Sequence, residues 1–279
     1  MIENKYTRLR AYRMQDGCVV SYSVDMEFVM IGGRYNDGIA PSIREEMRIA
    51  GCDSIDLLHI ASWDKKMCVA TELKVLLDEL QPTDIEIPAY NPTDENGKAC
   101  KKMIKEFCEN SVISQYIECS PKRVGKEGDT GRGLLLSPSK EYGETMDNDV
   151  VEYFYQGRFN LLSTGLVRSK KVVDDINKKP QLHNPMLMLV CGMNESPFVS
   201  LAFLHRSRPL IIIDLLDDNR YYTRANADLR DYGISSQRAD NGDLILMSGI
   251  RKDDNKIDTP DDAIIDGNDY KTEKSFNAG

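Results

Sequence analysis

Ile55-Asp56-Leu57-Leu58-His59-Ile60-Ala61-Ser62-Trp63-Asp64-Lys65-Lys66-Met67 is an apolar run that breaks abruptly into a polar loop. Residues 55–60 have the length and Leu/Ile content of a buried strand. His59 alternates with Ile55 and Leu57 on one strand face, which reads as a packed core histidine. A helix follows over residues 69–80: Val69, Leu73, Leu76, Leu77 and Leu80 share a face, and Pro82 marks its stop. Residues 84–87 form the next strand. A β-α-β step is thus built around the loop from Ala61 to Met67.

Outward from this step the same alternation continues. Upstream, residues 19–24 and 27–31 predict a hairpin turning at Asp25-Met26, closed by Gly32-Gly33, then a helix opened by Pro41-Ser42 with Ile43, Met47 and Ala50 on one face. Downstream come a helix over 98–108 and a strand over 112–117, then a charged Gly-rich loop over 123–132 that lacks the phosphate-loop spacing. A second series follows: strands over 134–136, 150–155 and 159–162 (the last two turning at Gln156-Gly157-Arg158), a helix over 169–176, a strand over 186–190, a helix over 199–205, a strand over 210–214, a helix over 225–232 stopped by Gly233, and a strand over 243–247. Each half opens on a hairpin and proceeds by β-α-β alternation, which predicts an α/β fold with mixed sheets covered by helices.

Composition narrows the function classes. The chain has 279 residues, 41% hydrophobic and 29% charged, which suits a soluble domain with a sizeable core. A net charge of −9 disfavours direct nucleic-acid binding, since phosphate backbones are held by cationic side chains. The basic face Lys98, Lys101, Lys102 and Lys105 reads as solvated helix surface. No apolar run is long enough to span a bilayer and the first residues lack a signal-peptide core, so no membrane association is expected. The seven cysteines are scattered with no C-x-x-C pair, which points to reduced thiols and a cytoplasmic protein. From Arg251 the composition shifts to 8 acidic and 5 basic residues with few apolar anchors. Residues 1–250 are therefore read as one domain and 251–279 as an acidic, loosely docked tail.

The order of short motifs resembles the metallo-β-lactamase fold, in particular the hydrolase subgroup of bacterial competence proteins, from about Tyr6 to Ser248. The resemblance rests on Gly32-Gly33 ending the hairpin, Ile55-Asp56 opening the decisive strand, Asn148 before a strand pair, Gly165 after it, Gly192 after the next strand, Asn219, and the final Gly242-Asp243 strand. It implies a four-layer αββα sandwich, two mixed β-sheets face to face with helices outside. It also implies where metal ligands would stand. The histidines of the family's T-H-x-H-x-D-H motif align with Ser62, Asp64 and Met67, and its aspartate with Lys66. The metal-bridging aspartate aligns with Leu166, and the later histidine pair with Val190 and Cys191.

A di-zinc centre needs imidazole and carboxylate donors about 2 Å from the ions. Hydroxyl, thioether and aliphatic side chains do not supply it, and the Lys66 ammonium repels a dication while its charge could offset Asp64. No cofactor is therefore expected, and the chain reads as a pseudoenzyme that binds a protein partner or itself. Trp63 is a candidate anchor for a protein partner; the alternative is retention of a nucleotide or other phosphorylated ligand in the vacated pocket, with Lys66, Arg220, Tyr222 and Arg224 supplying contacts. Residual metal-dependent hydrolysis, through the acidic clusters Asp147/Asp149 or Asp214/Asp217/Asp218, is the third reading. A Cys–His nucleophile drawn from His59, Cys68 and Cys191 is a fourth; Cys191 reads more simply as a small buried hydrophobe.

Overall fold

A computed structural model describes residues 7–125, 132–143, 145–155, 160–179, 185–216, 229, 234–238, 243–248, 262–264 and 275–277. Its first half is an antiparallel meander of β1 (Thr7–Ala11), β2 (Val20–Val24) and β3 (Glu27–Ile31). After α1 (Ala40–Ala50), strand β4 (Leu57–His59) joins β3 in parallel. Through α2 (Ala70–Leu80) and α3 (Glu95–Asn110), β5 (Asp84–Pro88) and β6 (Gln115–Cys119) extend the parallel part.

The second half repeats the plan. β7 (Gly133–Ser137), β8 (Val151–Phe154) and β9 (Leu161–Ser163) run antiparallel. Then α4 (Lys170–Asn177), β10 (Leu187–Val190), α5 (Leu201–Ser207), β11 (Ile211–Asp214) and β12 (Ser235–Arg238) follow, with the last three strands parallel to β9. β13 (Leu244–Ser248) returns to pair with β1. Among the described residues the sheets have seven strands, ordered β13-β1-β2-β3-β4-β5-β6, and six, ordered β12-β11-β10-β9-β8-β7.

Period-two alternation of the strands sorts the apolar side chains into three layers. Leu9, Val20, Leu57, Leu135, Phe154, Leu189 and Ile213 fill the space between the sheets. Val19, Phe28, Leu58, Ile85 and Ile87 pack outward against Ile43, Met47, Leu73, Leu76 and Ile104 of α1 to α3. Val151, Tyr153, Leu162, Met188 and Ile212 pack outward against Val172, Val173, Ile176, Phe203 and Leu204 of α4 and α5. Three apolar layers separating helix, sheet, sheet and helix make the four-layer αββα sandwich expected from the motif order.

Several boundaries differ from the sequence reading. β1 was not expected, because Thr7-Arg8-Leu9-Arg10-Ala11 looks half polar. Its arginines are buried against one carboxylate: Arg8 Nε lies 2.5 Å from Glu46 Oε2 and Arg10 Nη1 lies 3.0 Å from Glu46 Oε1, with Glu46 on α1 and 2% exposed. α3 begins earlier than residue 98, because the Asp94 side chain accepts a bond from Gly97 N at 3.0 Å and caps the helix. The strand expected at 112–117 is β6, shifted toward its C-terminus, and Val112 and Ile113 are exposed. Lys101, read as solvated, is buried and donates to Tyr90 O at 3.3 Å and Asn91 Oδ1 at 3.1 Å. The turn at 156–158 and, apart from buried Leu229, the helix at 225–232 lie outside the described residues. In the tail, β14 (Asp262–Ile264) pairs antiparallel with β15 (Ser275–Asn277).

Candidate functional site

The loop after β4 is set at one edge of the sandwich by main-chain contacts. Gly33 N donates to Met67 O at 2.6 Å and Cys18 N to Lys66 O at 2.8 Å. Gly32 has φ +96°, and a Cβ there would collide with the Cys18 carbonyl oxygen, so only glycine lets the hairpin end beneath the loop. Arg34 fastens the same loop: its guanidinium donates to Lys65 O at 2.9 Å, to Asp16 O at 3.1 Å and to both carboxylate oxygens of Glu72.

Three strands, β4, β9 and β10, lead to the expected positions. The Cys191 thiol, just past β10, lies 4.0 Å from Met67 Sδ. Cys18, Ala61, Met67, Val150, Leu166, Cys191 and Leu215 belong to the apolar layer between the sheets, and Met67, Leu166 and Cys191 are 1%, 1% and 3% exposed. Val190 faces the other way, into the layer beneath α4 and α5. Ser62 is buried, its Oγ accepting from Asp64 N at 3.2 Å. Asp64 and Lys66 are half-buried, and the contact between them is the Lys66 backbone N–H donating to Asp64 Oδ1 at 2.8 Å.

Trp63 packs in the layer beneath α3, is 1% exposed, and donates from Nε1 to Tyr90 O at 3.2 Å. It secures the loop to the helix side and presents no surface to a partner. Tyr90 in turn donates from its hydroxyl to Asp149 Oδ1 at 2.7 Å. Asp149 is fully buried, and burial pushes its carboxyl up to about 8, with the Tyr90 and Ser62 hydroxyls offsetting part of that rise. Asp214 is also buried and serves the backbone: Gly192 N and Met193 N donate to its two oxygens at 2.9 and 3.1 Å. Asp217, Asp218, Arg220, Tyr222 and Arg224 lie outside the described residues.

The hydroxyl, thioether, aliphatic and thiol side chains aligned with the family's ligands are not the imidazole and carboxylate set a di-zinc centre takes. Met67 and Cys191 meet within the apolar layer that also holds Leu166, and the nearby buried carboxylate, Asp149, accepts from the Tyr90 hydroxyl. Nor do the thiols form a nucleophile pair with His59. The Cys191 thiol meets Met67, whereas the free Cys68 thiol is hydrogen-bonded with the Cys100 thiol, and that hydrogen bond together with burial raises it well above the usual range.

A polar cluster not anticipated from the sequence lies deeper between the sheets. His59 of β4 and Glu86 of β5 are register neighbours, and Nδ1 of His59 lies 3.0 Å from Glu86 Oε2. Glu152 of β8 reaches across from the other sheet, its Oε2 3.4 Å from the same nitrogen. All three are at most 1% exposed. Phe154 meets the imidazole edge-on with centroids 5.3 Å apart. Burial and the Glu86 charge together hold the Glu152 carboxyl well above the usual range. Burial is the largest single influence on Glu86 and raises its carboxyl, but the bond and charge of His59 with smaller neighbouring contributions together outweigh it, and the net shift is downward. Among the described residues, Glu152 Oε2 and His59 Nε2 have no hydrogen-bond partner. The signal for this cluster was an acid set between apolar neighbours in each of two strands, Ile85-Glu86-Ile87 and Val151-Glu152-Tyr153.

No protein-family model and no curated protein sequence matches the chain. Solved structures do. The chain is similar to the metallo-β-lactamase fold protein YhfI from Bacillus subtilis, with TM-score 0.58 and 8% identity over 87% of this chain and 100% of that one. It is similar to Igni18, a metallo hydrolase from Ignicoccus hospitalis, with TM-score 0.53 and 9% identity over 88% of this chain and 100% of that one. It also resembles a variant of the CmlA β-hydroxylase, with TM-score 0.53 and 7% identity over 88% of this chain and 54% of that one. These likenesses establish the metallo-β-lactamase fold. A hydrolase and a hydroxylase among them illustrate that function is carried by the site and not by the fold.

Proposed function

We propose that this chain is a metallo-β-lactamase-fold protein without hydrolytic chemistry at its rim, which works in a reducing cytoplasm by binding a protein partner or a second copy of itself. The observation that carries this reading is the apolar closure of Met67, Leu166 and Cys191 at the positions where the family's motifs place metal ligands. A scaffold kept while those donors are replaced by mutually packed side chains offers shape and surface. No helix among the described residues is long and apolar enough to cross a membrane, which agrees with such a role.

The same packing weighs against a phosphorylated ligand in a vacated rim pocket, because Met67, Leu166 and Cys191 are themselves nearly fully buried there. The decisive experiment is light scattering of the purified chain together with affinity capture from the native host and mass spectrometry. A stable oligomer or a retained stoichiometric partner is expected. A strict monomer with no retained partner, or chelator-sensitive turnover of phosphodiester or lactam substrates, would overturn the reading.

A further inference from the structure

We propose that His59, Glu86 and Glu152 bind a single divalent transition-metal ion between the two sheets, as a closed structural centre one layer beneath the rim. The claim concerns residues other than the rim positions and departs from the expectation of a metal-free chain.

The geometry fits an ion. Donors bound to zinc at about 2.0–2.2 Å stand roughly 3.4 Å from one another in a tetrahedron. His59 Nδ1 stands 3.0 Å from Glu86 Oε2 and 3.4 Å from Glu152 Oε2, and one ligand atom from each residue falls within 4.8 Å of the others. The three come from β4 and β5 of one sheet and β8 of the other, so rigid strands on both sides fix them.

The Glu152 carboxylate is the second, independent sign. It is 1% exposed, it points at the imidazole, and its Oε2 has no hydrogen-bond partner. A buried carboxylate oxygen left unpaired is costly. Room for it depends on Gly133 of β7, where a Cβ would collide with Glu152 Oε1. Charge completes the case. Two carboxylates and a neutral imidazole around a dication sum to zero, whereas without the ion two acids share the space and one must keep a proton.

One nitrogen and carboxylate oxygens suit zinc or manganese(II) more than a soft thiophilic ion. Because the three residues are enclosed, the ion has no open position facing solvent and enters as the chain folds. Its role is to join the two sheets, and it is compatible with a non-catalytic rim without depending on one.

The test uses untagged full-length protein, refolded from urea with zinc chloride or with a chelator, then desalted. The expected results are about one zinc per chain, a higher urea midpoint after refolding with zinc, and anomalous scattering at the zinc edge between β4, β5 and β8. Glu152→Gln, which keeps the shape of the side chain, and His59→Gln should both lose the ion; Leu166→Ala at the rim should keep it. Wild-type protein that refolds identically with and without zinc and holds well under about 0.2 ion per chain would overturn the proposal. So would an ion retained by both Glu152→Gln and His59→Gln. If His59→Gln fails to fold, Glu152→Gln and the wild-type refolding pair decide the matter. Failure here leaves the interaction reading intact, since that is read from oligomeric state and partner capture.

Discussion

The Cys191 thiol lies 4.0 Å from the Met67 thioether, joining residues 124 positions apart across the end of the sandwich. Two sulfur side chains in van der Waals contact, with Leu166 packed into the same layer, make this edge part of the hydrophobic core. A polar side chain placed among them has no partner waiting.

Leu166→Asp tests that directly. The new carboxylate would enter a site 1% exposed, and the expected loss is about 3 kcal/mol or more in urea unfolding. Near-native stability accompanied by tightly bound metal at the rim would show that the edge still accepts a ligand set.

Asp149 predicts a pH dependence. Its folded value of about 8 lies above the ordinary carboxylate value of about 3.9, so the folded state holds the proton more tightly than the unfolded state. The stability from this group is full below about pH 4 and is lost as pH rises toward about 8. Asp149→Asn removes the titration. Between about pH 5 and 8 the wild type should lose stability relative to the variant by up to about 1.4 kcal/mol per pH unit. Parallel stability curves for the two proteins would refute the assignment.

Gly32→Ala should cost about 2 kcal/mol or more, because the residue sits at φ +96° and the added Cβ meets a main-chain carbonyl that cannot swing aside. Thermal unfolding measures it. A loss no larger than that of an exposed loop substitution would mean the hairpin end shifts freely.

Glu46→Gln leaves the buried guanidinium groups of Arg8 and Arg10 short of their shared counter-charge. The expected penalty is about 3–5 kcal/mol by denaturant titration. A change below about 1 kcal/mol would place the network in the class of solvent-screened pairs.

Much of the architecture was legible because it is local. Leu73, Leu76, Leu77 and Leu80 repeat at helical spacing, and the structure buries that face of α2. The hairpin of β2 and β3 turns at Asp25-Met26, where Asp25 takes a positive φ, as the sequence break suggested. At the rim, motif order singled out Met67, Leu166 and Cys191, and the structure puts all three in one apolar layer without testing their alignment to metal ligands. What could not be read depends on partners remote in sequence. Arg8 is tolerated inside because Glu46 arrives 38 residues later. His59 was rightly read as core, but its carboxylate neighbours come 27 residues on and from the opposite sheet. Lys101 looked solvated until the β5–α3 loop was seen folded over its ammonium.

The pairing of β1 with β13 sets the timing of biosynthesis. Thr7 is opposite Ser248 and Ala11 opposite Leu244, and Asp243 accepts from Arg10 Nε at 2.7 Å and from Arg13 N at 2.8 Å. At roughly 5–20 residues per second, a ribosome needs about ten to fifty seconds to deliver β13 after β1 has emerged. Through that interval one flank of β1 has open hydrogen-bonding groups, the kind of edge that recruits foreign strands. Arg8 and Arg10 alternate along β1, so that edge carries charge of the kind that discourages foreign strands, and in the folded chain both are buried in ion pairs.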